Sequence, residues 1–234
     1  ATTATIARIA DNEQMGEQFT AKRYNRCGQL TGEEHNVDLE LIKEWNQSID
    51  TQRIDIEGDI IAISEREDVR LVLTDTPGPN NSQDEDHQRT TMGFIQDSKR
   101  NPLILYVLNA SQLGTNDDRN LLSLVAETMC KGGKQSKDRF IFVINKMDVF
   151  DPEQGEHIPE VLKRVNTYLS QNGIHTPQIY PVSANLTRLI RKPHDLQTRK
   201  ERGELQAMSG MFSEEPSMNM LQYMPITERV HRAL

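Results

Sequence analysis

The sequence predicts an α/β fold in which a mostly parallel sheet is flanked by helices. Apolar, β-rich runs recur along the chain at residues 69–74, 103–108 and 139–145, and helical patterns separate them. A polar motif follows the end of each run, as at the ligand-binding edge of a parallel sheet. A length of 234 residues suffices for one such domain with a complete core and a small appendage.

The run at 69–74 is predicted to be a largely buried strand, and it leads into Asp75-Thr76-Pro77-Gly78. A carboxylate at the end of a strand can hold Mg²⁺ through water. A glycine three residues later lets its backbone N–H approach a terminal phosphate. The alternative interpretation is an ordinary D-x-P-G turn that binds nothing.

The run at 139–145 leads into Asn145-Lys146-Met147-Asp148, an N-K-x-D motif. In such a turn the Asp can accept both donor N–H groups on one edge of guanine, the Asn joins neighbouring loops, and the Lys stem covers the base. A short strand at 179–182 then ends in Ser183-Ala184-Asn185, whose backbone could donate to the guanine carbonyl. Three strand-end motifs in this order indicate a guanine-nucleotide-binding domain of the P-loop GTPase class.

The elements before the first motif are predicted from local patterns. Residues 4–9 form a β-like run after two threonines, and residues 11–35 are polar, with no firm structure predicted. Residues 37–45 have a helical pattern, and residues 54–63 a strand pattern that is broken at Gly58. The predicted buried face of the helix consists of Val37, Leu41, Trp45 and Ile49.

The segment from Ile56 to Leu73 is predicted to be a hairpin. Residues 79–89 have the composition of a mobile switch loop, and residues 90–99 that of a helix. The unbroken apolar run at 103–108 is typical of a strand in the middle of a parallel sheet. Residues 157–171 carry apolar side chains on one helical face, which predicts a further helix.

Composition limits the function classes. A net charge of −8 gives no electrostatic support to direct nucleic-acid binding. The two cysteines, Cys27 and Cys130, lie far apart and are expected to be free thiols in a reducing compartment. No apolar run of 18 residues is present, so no membrane span is predicted. The acidic balance of the chain predicts a cytoplasmic location.

A phosphate-binding loop of the form G-x-x-x-x-G-K-[ST] does not occur in the sequence. That loop would supply the backbone cradle and the lysine for the phosphates. We therefore expect a G domain truncated at its N-terminus, which begins near the switch threonine at Thr2 or Thr3. The alternative expectation is a degenerate GTPase that never had the loop. The two threonines could also be ordinary β-formers or caps.

The chain resembles the dynamin superfamily, and in particular bacterial dynamin-like proteins. The resemblance rests on T-T-A before the first strand, D-T-P-G-P-N-N-S, L-Y-V-L-N-A-S-Q-L-G-T-N-D-D and N-K-M-D, and it covers residues 1 to about 190. Thr3 and Asp75 are also 72 positions apart, whereas Ras-like and Era-like GTPases cross from switch I to the D-x-x-G loop within about one hairpin. The resemblance implies a dynamin-type G domain at 1–190 and a C-terminal helical extension at 191–234.

The resemblance also implies the ligands, GTP or GDP with Mg²⁺, and the residues that hold them. Thr3 or Thr2 would be the switch threonine that contacts the metal. Asp75 would be an outer metal ligand, and Gly78 would contact the γ-phosphate. The residues implied to bind guanine are Asn145, Lys146 and Asp148, supported by Ser183, Ala184 and Asn185.

The function that follows is GTP binding and hydrolysis, with G domains that pair across their nucleotide faces. Pro79 stands where some GTPases carry a water-positioning side chain, which favours such a homodimer. This chain by itself is expected to be inactive, with any stalk or membrane-binding part outside it. The resemblance to an enterobacterial group implies the replication sliding clamp as a protein partner. The alternatives are a nucleotide-free interaction module and an Era- or translation-type GTPase.

Overall fold

The computed structural model of the chain describes residues 5–60, 70–76, 91–93, 95, 102–114, 116–131 and 137–232. The chain divides into two compact units, Ala1–Phe94 and Ile95–Leu234. Several residues with predicted roles lie outside the described residues: Thr2, Thr3, Gly78 and the segment 79–89.

The first unit contains a five-stranded mixed sheet. The strands are β1 (Ile6–Asp11), β2 (Thr20–Asn25), β3 (Leu30–His35), β4 (Thr51–Gly58) and β5 (Val72–Asp75). Their order across the sheet is β3-β2-β4-β1-β5. Among the strands that the structure describes in this unit, only the β1–β4 pair is parallel; β1–β5, β2–β3 and β2–β4 are antiparallel. The mostly parallel sheet predicted from the sequence is therefore wrong for this unit.

The helix predicted at 37–45 is confirmed as α1 (Leu39–Gln47). It begins where Asp38 caps it, because a side-chain oxygen of Asp38 accepts from the backbone N–H of Leu41 at 2.8 Å. Trp45 is buried on the sheet with Ala21 and Ile54, and these residues form the core of the unit. Ile49 does not join that face: it follows the end of the helix and is 80% exposed.

Strand pairing in the first unit differs from the predicted hairpin between Ile56 and Leu73. Strand β1 lies between β4 and β5, so Leu73 pairs with Ile9 and Ile56 also pairs with Ile9 from the other side. The local alternation of apolar residues identifies strands but not their partners. Residues 20–35 form a hairpin of β2 and β3, although the sequence predicts no structure there. The strands are polar, and the cross-strand hydrogen bonds that stabilise them are not visible in the local sequence pattern.

The strand predicted to be largely buried at 69–74 is exposed. The described strand is β5, in which all four residues are exposed; Val72 and Leu73 are 38% and 42% exposed. The physical reason is its position, since β5 pairs only with β1 at one edge of the described sheet. An apolar run alone does not show whether both faces of a strand are covered.

Gly58, at the end of β4, packs directly under the ring of Phe19. A Cβ placed at Gly58 would come within 2.2 Å of Cδ1 of Phe19. We expect Gly58→Ala to lower the free energy of unfolding by about 1–3 kcal/mol, because the ring and strand must separate. The measurement is urea denaturation followed by circular dichroism.

Gly203→Ala is the matched control for this substitution. Gly203 lies in a helix, and a Cβ there meets open space. The substitution should raise stability by up to about 1 kcal/mol through helix propensity. Equal effects of the two substitutions would contradict the proposed steric conflict at Gly58.

The second unit contains a three-stranded parallel sheet with the order β6-β7-β8. Its strands are β6 (Ile104–Asn109), β7 (Phe140–Asn145) and β8 (Ile179–Pro181). Helix α2 (Asn116–Lys131) connects β6 to β7, and α3 (Ile158–Gln171) connects β7 to β8. Helices α4 (Ala184–Arg191), α5 (Arg199–Glu214) and the short α6 (Glu228–His231) follow.

The core of the second unit lies between the parallel sheet and its helices. Strand β7 contributes Phe140, Phe142 and Ile144, each at most 1% exposed. Helix α3, predicted at 157–171, is confirmed. Its fully buried residues all come from the predicted apolar face: Ile158, Val161, Val165 and Leu169. The remaining core residues include Leu122, Val125, Ile174 and Met218.

Strand β6 is confirmed at 103–108 to within one residue, but its predicted place in the sheet is wrong. It is an edge strand of the described sheet, and only one of its faces is covered. Tyr106 and Leu108 are 7% and 2% exposed, whereas Leu105 and Val107 are 52% and 59% exposed. None of the helices that the structure describes is long and apolar enough to cross a membrane.

Candidate functional site: the ends of the parallel strands

The carboxyl ends of β6, β7 and β8 meet at one edge of the parallel sheet. Asn109 is the register partner of Asn145, and β8 runs beside the end of β7. The main chain connects the strand ends: the N–H of Ala110 donates to the carbonyl of Asn145 at 3.1 Å. Ligands of open parallel sheets bind at this edge, because polar loops converge there. The N-K-x-D motif and the Ser183-Ala184-Asn185 motif, which are the predicted guanine motifs, both lie at this edge of the sheet.

Asn145 joins the two guanine motifs. Its Oδ1 accepts from the backbone N–H of Lys146 at 2.8 Å and from that of Ala184 at 2.9 Å. Ala184 is 39 residues further along the chain. The bond to Ala184 joins the loop after β7 to the loop at 183–185, which is the predicted linking position of Asn145. An alanine at this position would remove both bonds.

The loop after β7 has a defined backbone. Lys146 adopts a left-handed conformation with φ of 66°, which turns the chain sharply into a 3₁₀ turn at Met147–Val149. Met147 is fully buried, and its N–H donates to the carbonyl of Val182 at 3.2 Å. The turn is thus anchored on both sides of Lys146, and this anchoring determines where Asp148 lies.

Asp148 carries an unsatisfied carboxylate oxygen. Its Oδ1 is inaccessible to solvent and has no hydrogen-bond partner among the described residues. Leaving a buried acceptor unpaired costs about 1–3 kcal/mol, and more for a charged group. A ligand with N–H donors would remove that cost once the atoms that cover Oδ1 move aside. Guanine offers two such donors on one edge, so the chemistry of this carboxylate fits a guanine base.

Ser183 begins α4. Its Oγ accepts from the N–H of Leu186 at 3.0 Å, so Ser183 is the N-cap of the helix. Asn185, the last residue of this motif, directs its side chain towards α5. It donates to Glu204 of α5 at 2.6 Å and accepts from Arg188 at 3.2 Å. Sequence reasoning did not single out Glu204, since no local pattern relates it to Asn185.

An ion-pair network fixes α4 to α5. Glu201 contacts Arg188 at 2.6 Å and Lys192 at 2.8 Å. Glu201 also forms a capping box with Thr198, in which each side chain bonds the other residue's backbone N–H. The hydrogen bonds from Arg188, then Lys192 and Thr198, hold the pKa of Glu201 well below its ordinary value. The T-x-x-E spacing at 198–201 is a sequence signal that could have predicted the start of α5.

Glu201→Gln should lower the melting temperature at neutral pH. A lowered folded-state pKa means that the ionised carboxylate stabilises the fold above its ordinary pKa of about 4.3. This stabilisation is lost as the pH falls from there towards the folded-state value. The difference between wild type and variant should therefore be largest near pH 7 and shrink below about pH 4. Thermal unfolding from pH 7 to 3 measures it.

Glu214→Gln, at the exposed end of the same helix, serves as the control. It should change the melting temperature little at any pH in the series. A Glu201 variant that follows the control at every pH would contradict a stabilising function for this network.

The other predicted ligand residues are less defined by the structure. Asp75 is the last residue of β5, where it pairs with Ala7 and is exposed. It belongs to the first unit, whereas the guanine motifs belong to the second. Thr2, Thr3 and Gly78 lie outside the described residues. Within the described ranges, no group of three His, Cys, Asp or Glu residues could hold a metal ion.

Comparisons by sequence give no relative: no protein-family model matches the chain, and no curated protein does. Comparison by structure finds several solved structures, among them two of an oligomerised bacterial dynamin pair, reported to provide a mechanism for long-range sensing and tethering of membranes. Each of these two has a TM-score of 0.53 and is 15% or 16% identical to this chain, over 91% or 93% of its residues. The chain spans about a third of their length, 33% and 34%. At this identity the similarity concerns the fold alone, and the chain has a dynamin-like fold.

Proposed function

We propose that the chain is the guanine-nucleotide-binding part of a dynamin-like GTPase. The observation that carries this proposal is the hydrogen bond from the N–H of Ala184 to Oδ1 of Asn145, which ties the N-K-x-D loop to the loop at 183–185 at the edge of the parallel sheet. Asp148 lies in the same N-K-x-D loop, and its carboxylate is suited to a ligand that donates hydrogen bonds. The dynamin-like fold supports the same assignment.

Guanine matches this site through the donors on one edge of its ring. Its N1–H and exocyclic amino group point in the same direction, so one carboxylate can accept from both in charge-assisted hydrogen bonds. Adenine has an acceptor where guanine has N1–H, and it would leave Asp148 unpaired. The exposed stem of Lys146 covers one face of the base in this arrangement.

The phosphate end of the nucleotide is assigned to other residues. Asp75 would hold Mg²⁺ through water, Thr3 or Thr2 would contact the metal, and Gly78 would contact the γ-phosphate. Bound Mg²⁺ would supply charge neutralisation on the phosphates. These assignments rest on the motifs, and Asp75 is the only one of the four residues within the described part of the chain.

GTP hydrolysis and self-association belong to the proposal for the intact protein, since this chain spans about a third of the similar structures. Water attacks the γ-phosphate in line, helped by positioning and charge stabilisation. The similar structures are of an oligomerised pair, which supports self-association, and we propose that the G domains form the homodimer. A cytoplasmic location and the sliding clamp as a partner remain predictions from composition and resemblance.

Titration calorimetry of the intact protein with GDP, GTP and ADP in the presence of Mg²⁺ tests the proposal. We expect guanine nucleotides to bind at least about 100-fold more tightly than ADP, since two charge-assisted bonds are lost with adenine. GTP turnover per molecule should also rise with protein concentration. Equal affinity for GDP and ADP would contradict a guanine site, whereas guanine binding without turnover would indicate a non-catalytic module.

A further inference from the structure

The side chain of Asn185 is held from two directions. Its Nδ2 donates to Oε1 of Glu204 at 2.6 Å, and its Oδ1 accepts from Nη2 of Arg188 at 3.2 Å. A carboxylate can only accept and a guanidinium can only donate, so the two partners determine the orientation of the amide. Both bonds involve a charged group, which makes them stronger than bonds between neutral groups.

The two partners are themselves fixed to α5. Glu204 lies in the second turn of that helix, and Arg188 pairs with Glu201 in the first turn at 2.6 Å. Glu201 is only 15% exposed and is held further by Lys192. Asn185 is therefore connected to the first two turns of α5, directly through Glu204 and through the exposed Arg188 to Glu201.

The backbone N–H groups of the residues before and after Asn185 already have acceptors. The N–H of Ala184 donates to Asn145, and the N–H of Leu186 donates to Oγ of Ser183. First-turn N–H groups of a helix have no carbonyl partner within the helix. We assign the intervening N–H, that of Asn185, to the carbonyl oxygen O6 of the bound guanine.

We propose that Glu204 is a positioning residue for the guanine site: by holding the side chain of Asn185, it keeps the backbone N–H of Asn185 directed at O6. The inference rests on the proposed function. Asp148 is on a different loop, after β7, and recognises the N1–H and amino donors of the base. Loss of Glu204 should therefore weaken recognition of O6 and leave recognition of the N1–H and amino group unchanged.

The experiment compares three nucleotides on the intact protein by titration calorimetry. GDP is the reference, 6-thio-GDP replaces O6 by a weaker acceptor, and IDP lacks only the exocyclic amino group. In the wild type both analogues should bind more weakly than GDP. Glu204→Ala should weaken GDP binding by about 2- to 10-fold, the value of one hydrogen bond. It should bring the affinity ratio of GDP to 6-thio-GDP closer to one, with the GDP to IDP ratio unchanged.

Three variants complete the test. Glu204→Gln keeps an acceptor for Asn185 and should retain most of the wild-type preference for GDP over 6-thio-GDP. Asn185→Ala keeps the backbone N–H but loses the side chain, and it should behave like Glu204→Ala. Glu214→Ala, at the exposed end of the same helix, is the matched control and should equal the wild type. Asn185→Ala also gives the readout if Glu204→Ala fails to fold.

The outcomes separate this inference from the proposed function. If the wild type does not prefer GDP over ADP, the guanine site is wrong and the inference falls with it. If the wild type prefers GDP but neither Glu204→Ala nor Asn185→Ala changes the 6-thio-GDP ratio, the positioning function is wrong and the guanine site stands. A loss that is equal for all three nucleotides would also overturn the inference, since it would indicate a general structural effect.

Discussion

Asp148→Asn in the intact protein should reduce GDP affinity by at least about 100-fold and raise affinity for xanthosine diphosphate. The carboxylate is expected to accept two charge-assisted hydrogen bonds from guanine, each worth about 1.5–3 kcal/mol. Together they correspond to a factor of about 10² to 10⁴ in the dissociation constant. An asparagine can instead donate to the C2 carbonyl that xanthine carries in place of the amino group.

Asp151→Asn is the matched control for Asp148→Asn. Asp151 lies three residues further along, and its Oδ1 caps the next 3₁₀ turn by accepting from Glu153 at 3.0 Å. An asparagine keeps that acceptor, so nucleotide affinity should not change. Titration calorimetry with both diphosphates at one Mg²⁺ concentration makes the comparison. Unchanged GDP affinity in the Asp148 variant would show that this residue does not recognise the base.

Phe142→Ala should destabilise the second unit by about 3–5 kcal/mol. Phe142 is fully buried in the central strand of the parallel sheet, and its ring centroid lies 5.8 Å from that of Tyr106. Removing the ring takes away its buried apolar surface and leaves a cavity in close-packed surroundings. Urea denaturation, followed by the circular dichroism of the whole chain, measures the change.

Val107→Ala provides the comparison on the neighbouring strand. Val107 is 59% exposed on the uncovered face of β6, so its truncation should cost less than about 1 kcal/mol. A cost for Val107→Ala as large as that of Phe142→Ala would mean that the exposed face of β6 is covered in solution.

Much of the second unit is predictable from sequence because its signals are local. The apolar run of β7 and the period of α3 each depend on residues that are adjacent or one helical turn apart, and both elements are confirmed to within one or two residues. The N-K-x-D motif is also local, so the positions of Asn145 and Asp148 at the end of a strand follow from the sequence. Their chemical functions remain predictions.

The burial of strands was not predictable in the same way. The runs at 69–74 and 103–108 have the composition of interior strands, yet β5 and β6 are edge strands of the described sheets. Composition reports the tendency of a segment to be covered, and the neighbouring strands decide whether it is covered. The exposed Leu73 and Leu105 are the visible consequence.

The sequence by itself determined elements with a strong local pattern, such as α1, β7 and α3, and which motifs follow the parallel strands, but it did not indicate the hairpin of β2 and β3. The tertiary structure alone decided that β1 separates β4 from β5, and that Asn185 contacts Glu204 rather than solvent. Strand partners and side-chain pairs far apart in the chain depend on register and on the relative positions of elements. Periodicity within one element carries no information about either.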